Sequence, residues 1–237
     1  RELSTRQITF LGDYVQERSL NVDRRFSNLE NLHRSAADEM ARRVNQLSPV
    51  EVDRLLNTFY PLRADGTRRS RPEDFDGHQT TTGKVVYGIG AFLSRPSEMQ
   101  RMERAAMVSA FEIVSDFGQA AHGEYDNFYF FTPATRLVMF GPDRPDRLMF
   151  YREEAPADLD IGKEEMSTLT TPRNNPERAT RCTNLQRLIQ DNHGERLATA
   201  CMTPVYINDE YVGAFGSSIE LTGFFLNAIR HTLPGAS

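Results

Sequence analysis

The sequence predicts an α+β fold, with long N-terminal helices packed on a five-stranded antiparallel sheet. The first 47 residues place apolar or small side chains at steps of three and four, the period of a helix, and after Gly123 the period changes to that of strands. Five strand-like runs then follow, with a long non-periodic insertion between the second and the third. Helices first and strands afterwards, rather than in alternation, is the α+β pattern.

In chain order, the first pattern runs from Ile8 through Phe26, Leu29, His33, Ala36 and Met40 to Leu47, without proline and with Gly12 as its one weak point. It predicts a single helix about 60 Å long at 1.5 Å per residue, a break near Asn21 being the alternative. Such length exceeds what a compact core needs and suggests a coiled coil, a spine or the continuation of a membrane span. Ser48 is a candidate N-cap, with Pro49 at the first helical position and Glu51 at the third, so a short helix is expected from Pro49 to about Tyr60, ended by Pro61. Residues 62–82 are rich in turn formers and charges and predict a long ordered loop with tight turns at Asp65-Gly66 and Asp76-Gly77. Ser97 is the expected cap of a second long amphipathic helix, which ends between Gly118 and Gly123 and packs on the first.

The β region opens with 127–132 and 136–141, aromatic and β-branched runs joined by Pro133-Ala134-Thr135 as a hairpin. The insertion follows from Pro142 to about Ala179. The remaining strands are expected at 182–189, 196–207 and 211–219, with turns at DNHG (191–194) and NDE (208–210), and a closing helix at 221–232.

Composition narrows the function. The chain has 237 residues, 28 basic against 33 acidic and a net charge of −5, which disfavours a nucleic-acid binder with a basic face. No apolar run approaches the 18 or so residues of a membrane span. The first residue is Arg1, with no initiator methionine and no charged-then-apolar leader, so the chain is expected to be a processed product or a piece of something longer. Catalytic patterns are absent: no GxSxG, HExxH, SxxK, Walker loop or CxxC. His33, His78, His122, His193 and His231 are scattered and read as surface or capping groups. The GIG at 88–90 lacks the third glycine of a dinucleotide loop and reads as a backbone bend. The acidic turn at 158–162 lacks the further oxygens of a calcium loop, and neither a metal nor a cofactor is called for.

Two features remain. If the DNHG turn closes a hairpin, Cys182 lies opposite a residue between 201 and 203, so a Cys182–Cys201 bond is geometrically possible; in an extracytoplasmic protein the two would pair, in cytosol they would stay buried thiols. The insertion, about 38 residues, is too long for an idle connection and carries Arg147, Tyr151, Arg152, Glu153, Glu154 and Asp158. Aromatic walls with a few charges suit a small-molecule pocket, with Tyr129 and Phe131 as its floor. Alternatively these aromatics only fill the core.

A long leading helix, a second helix, a β-hairpin, a long loop and the closing stretch TPVYINDEYVGAFGSSIEL (203–221) together resemble the Cache (PAS-like) extracytoplasmic sensor domains of bacterial histidine kinases, diguanylate cyclases and chemoreceptors. Residues 62–77 and 142–158 resemble a subgroup joined to kinase or GGDEF outputs, and FLNAIRHTLPGAS resembles the link from a membrane-distal Cache module to a second one. The resemblance implies one domain, residues 1–121 a helical spine and loop and residues 122–237 the sensor module, the membrane-distal half of a double Cache region. It further implies a periplasmic sensor in an inner-membrane protein, signalling through its first helix, without chemistry of its own, and with a homodimer through that helix. In that setting Cys182 and Cys201 are expected to pair. Tyr129, Phe131, Arg147, Met149, Tyr151, Arg152, Asp158 and Thr203 are the expected ligand-binding residues. Amino-acid-binding members carry Trp, Tyr and Ala where Met149, Phe150 and Glu153 follow Arg147, so that specificity does not transfer; Glu153, Glu154 and Asp158 would suit a cationic or polyhydroxylated ligand. The competing reading is a dimerisation or protein-partner module with a vestigial pocket.

Overall fold

The computed structural model describes residues 5–187 and 197–220. The expected DNHG turn, the end of the third strand and the closing helix at 221–232 lie outside the described residues.

The leading pattern forms a single helix, α1 (Thr5–Gln46). Its C-terminal half buries Leu29, His33, Ala36, Met40 and Val44, at steps of four, three, four and four, while Leu20 and Phe26 remain exposed. After a two-residue break, α2 (Pro49–Phe59) starts as its sequence dictates: Ser48 is the N-cap, its Oγ accepting from the Glu51 amide at 3.3 Å. The stretch expected as plain loop holds β1 (Arg68–Arg69), α3 (Pro72–Asp76) and β2 (His78–Gln79), the last paired in a small two-stranded sheet with β3 (Val85–Val86). Next comes β4 (Ile89–Leu93), with no counterpart in the sequence reading. Helix α4 (Arg101–Ala120) begins three residues later than a cap at Ser97 would place it: Arg95 is left-handed (φ 40°), Pro96–Glu98 forms a separate 3₁₀ turn and Met99 is extended, so the helix starts after Gln100. Arg43 of α1 meets Glu112 and Asp116 of α4 and fixes the two helices side by side.

Strands β5 (Phe128–Thr132) and β6 (Arg136–Phe140) form the expected hairpin, closed by a three-residue loop whose Thr135 takes the left-handed conformation (φ 63°). After the insertion, which contains α5 (Glu165–Thr168), the expected third strand appears as two short pieces, β7 (Arg181–Cys182) and β8 (Gln186–Arg187). Side chains interrupt it. Thr183 Oγ1 accepts from the Ala200 amide, and Asn184 is drawn aside by its amides donating to Glu165. The last hairpin, β9 (Leu197–Ile207) and β10 (Glu210–Glu220), turns through Asn208 and Asp209, both left-handed, the pair a two-residue primed turn requires.

The main sheet is antiparallel, in the order β1-β4-β6-β5-β10-β9-β7, with β8 also on β9. It therefore exceeds the five strands expected, because β4 and β1 extend it beyond β6 from a segment assigned to spine and loop. One face, with Phe128, Phe130, Val138, Phe140 and Phe215, packs on α1, α2 and α4. The opposite face, with Phe92, Tyr129, Phe131, Met139, Met202 and Ala214, packs under the insertion. A bulge at Gly213 (φ 147°) lets Val212 and Phe215 both point to the helices; a Cβ there would lie 2.4 Å from the Phe131 carbonyl oxygen.

Candidate functional site

Alternation along β5 sends Tyr129 and Phe131 to the insertion side, as the pleat requires. Gly216, directly across the ladder from Tyr129, makes room for the phenol: a Cβ on it would lie 2.5 Å from two ring carbons. The insertion then returns over this face in an unusual conformation. Arg147 and Leu148 are consecutive left-handed residues (φ 50° and 53°), and Phe150–Glu154 is a π-turn closed by the Ala155 amide donating to the Phe150 carbonyl at 2.7 Å. Two successive non-glycine left-handed residues store strain, which needs firm surroundings. Leu148 supplies part of it, fully buried against Gly90, where any Cβ would approach Leu148 Cβ to 2.6 Å. The glycines at 88 and 90 thus serve a bend (Gly88, φ 66°) and a close approach.

Arg69 supplies the rest. Its side chain, 4% exposed, donates to the Tyr151 carbonyl at 3.4 Å, the Ala155 carbonyl at 2.6 Å and Thr67 Oγ1 at 3.0 Å, pairs with Asp65 at 3.1 Å and lies 4.7 Å over the Phe92 ring. The guanidinium fork thereby clamps carbonyls at the end of the π-turn. Arg152, also buried, donates to the Arg147 carbonyl at 3.1 Å and stacks on Phe75 at 5.0 Å, while its Nε has no hydrogen-bond partner. Burial pushes the Tyr151 phenol up to about 12 and Tyr129 higher still, so both stay protonated donors at neutral pH. The nearby Ser218 hydroxyl exerts a weaker influence on Tyr129 in the opposite direction.

Of the expected ligand residues, Tyr129, Phe131 and Tyr151 share this cluster and Arg152 adjoins it. The others do not converge. Asp158 is exposed. Arg147 is exposed as well, its left-handed backbone turning the side chain outward to pair with Asp76 beside Phe75. Met149 is half-buried outside the cluster. Thr203 lies on the opposite face of the sheet, since it shares strand parity with Val205 and not with Met202. Glu153 and Glu154 are exposed, Glu153 paired with Arg63 at 3.3 Å. The charges buried here are the guanidiniums of Arg69 and Arg152, and the three carboxylates expected to suit a cationic or polyhydroxylated ligand lie in solvent.

Thr203 instead meets His33. The imidazole, fully buried on α1, has Nδ1 3.1 Å from Thr203 Oγ1 and Nε2 3.0 Å from Ser217 Oγ, and Thr203 Oγ1 is 2.8 Å from Thr180 Oγ1. Desolvation lowers its pKa to about 3, so the ring is neutral. A surface or capping role for His33 is therefore corrected; the signal was a polar residue inside the apolar stripe of α1. His78 and His122 pair with Asp74 and Asp143, and His193 and His231 lie outside the described residues.

Cys182 and Cys201 are direct cross-strand partners joined by a disulfide, at the near end of the range expected for the partner of Cys182. Among the described residues no His, Cys, Asp and Glu cluster could hold a metal, and Asp160 caps the Gly162 amide instead. No helix among them is long and apolar enough to cross a membrane. No family model, curated protein or solved structure matches this chain.

Proposed function

We propose that the chain is a Cache-like, extracytoplasmic small-molecule-sensing domain of a transmembrane signalling protein with a kinase or cyclase output, and that α1 carries the signal. The observation behind this reading is the division of labour across the sheet. One face holds a 42-residue helix that extends past the core, and the other is roofed by a strained insertion anchored through buried arginines. From β5 onward come six strands, β5 and β6 before the insertion and β7 to β10 after it, with β6-β5-β10-β9-β7 as neighbours and β8 also on β9; a hairpin, a long insertion and a closing hairpin in that order support the reading. A disulfide suits an oxidising compartment such as the periplasm.

The test is to denature the purified protein, identify any released small molecule by mass spectrometry and return it in a thermal-shift titration. Binding to the folded state alone raises stability by about 2.7 kcal/mol at 100 times Kd. Tyr129→Phe and Arg152→Gln should weaken the response at least tenfold. No released compound, together with no shift across a metabolite panel, would reject sensing.

A second reading, a dimerisation or partner module with a vestigial pocket, is favoured by the tight burial of Tyr129, Phe131 and Tyr151 and by exposed Leu20 and Phe26 on α1. A mass that doubles with concentration, alongside a flat ligand screen, would select it.

A further inference from the structure

Among the described residues His33 hydrogen-bonds α1 to the sheet, within a seam of apolar contacts that by themselves set no direction or register. We propose that His33 is a directional hydrogen-bond relay that reports the position of Thr180, at the end of the insertion, to helix α1. A neutral imidazole has one donor and one acceptor, so its two hydroxyl neighbours must play opposite roles. If Nδ1 carries the proton, His33 donates to Thr203, Thr203 donates to Thr180, half-buried Thr180 reaches water, and Ser217 donates to Nε2; every buried hydrogen is placed. If Nε2 carries it, Ser217 accepts from the ring, and its own hydrogen finds no acceptor among the described residues. A stranded buried hydroxyl hydrogen disfavours that form by roughly tenfold or more. The chain of bonds thus runs from Ser217 through His33 and Thr203 to Thr180, and its outlet is the insertion.

This gives the insertion a polar link to α1 through the sheet. A movement that draws Thr180 away leaves Thr203 without its acceptor, which makes the two tautomers comparable and loosens the grip of α1 on β9 and β10. Its use in signalling rests on the sensing reading; the relay itself does not.

The test uses the intact protein with 15N-labelled histidine and no ligand, the His33 ring signals being assigned by their loss in His33→Gln. Nitrogen shifts should report the Nδ1–H tautomer in the wild type, mixed tautomers in Thr180→Val and recovery of Nδ1–H in Thr180→Ser. Amide exchange over residues 30–36 should speed up in Thr180→Val and return in Thr180→Ser. An Nε2–H tautomer in the wild type, which needs no variant to observe, would overturn the proposal. So would an unchanged tautomer ratio and unchanged exchange in folded Thr180→Val. Because no ligand enters the experiment, its failure leaves sensing untouched, and a failed ligand screen leaves the relay standing.

Discussion

Burial of His33 makes the stability of this protein acid-sensitive in a way that can be worked out. In the folded state the ring protonates only near pH 3, because desolvation opposes the charged form, whereas the unfolded chain protonates it near 6.5. The folded pKa is the lower, so below 6.5 the unfolded state binds the extra proton and stability falls as pH falls, by about 1.4 kcal/mol per unit until about pH 3. Between pH 7.5 and pH 5.0 this amounts to about 2 kcal/mol, a loss of roughly thirtyfold in the folded-to-unfolded ratio. Carboxylates add their own slope, so the measurement is a difference. Urea denaturation of wild type and His33→Gln is followed at both pH values, and the pH-dependent loss should be about 2 kcal/mol smaller in the variant, whatever the variant costs at pH 7.5. Parallel losses, or a His33 ring titrating near 6.5 in the folded protein, would refute the reasoning.

Other perturbations act on the roof and the edge of the sheet. The Cys182–Cys201 bond spans 19 residues and should contribute about 3 kcal/mol in the chain-entropy model, so the Cys182→Ala/Cys201→Ala variant should melt lower; two free thiols titrated in the oxidised folded protein would contradict the bond. Gly90→Ala should cost about 1–3 kcal/mol by forcing Leu148 aside, and combining it with Leu148→Ala should cost less than the sum of the two, as read from denaturant midpoints. Arg69→Met strands the Tyr151 and Ala155 carbonyls and should cost about 2–4 kcal/mol, with accelerated amide exchange at 150–156; protection equal to wild type there would show that the clamp is idle.

How far the fold could be read from the sequence follows the strength of its local signals. The α1 stripe, the Ser48 cap, the 128–140 hairpin and the Asn208-Asp209 turn are each specified within a few residues, and each lies where periodicity and turn chemistry put it. Strand β4 leaves no legible signal because IGAFL is short, opens beside two glycines and is buried on both faces, so it shows no alternation. The start of α4 shifted for a similar reason: Ser97 matches a cap by composition, but Pro96 commits it to a 3₁₀ turn, and composition carries no record of that competition.

The candidate site divides along a different line. Strand parity correctly joined Tyr129 with Phe131, because alternation depends only on the backbone. Parity from a different strand was needed to place Thr203, and the Gly213 bulge in its partner strand shifts the register that would have related the two. Inside the insertion no period exists, and the inference that its charges face the sheet had nothing to support it. Which charges go under a roof is decided by which can be satisfied there. A guanidinium presents five donors, so Arg69 can answer two backbone carbonyls, a hydroxyl and a carboxylate at once, while a carboxylate in the same place would confront the same carbonyls with no proton to offer. A π-turn ends in unpaired carbonyls, which select donors for burial and leave Glu153, Glu154 and Asp158 to solvent. The polarity of the site is therefore set by the backbone of its roof, and the residue that settles it, Arg69, lies some 80 positions earlier, in a stretch whose sequence suggested only a loop.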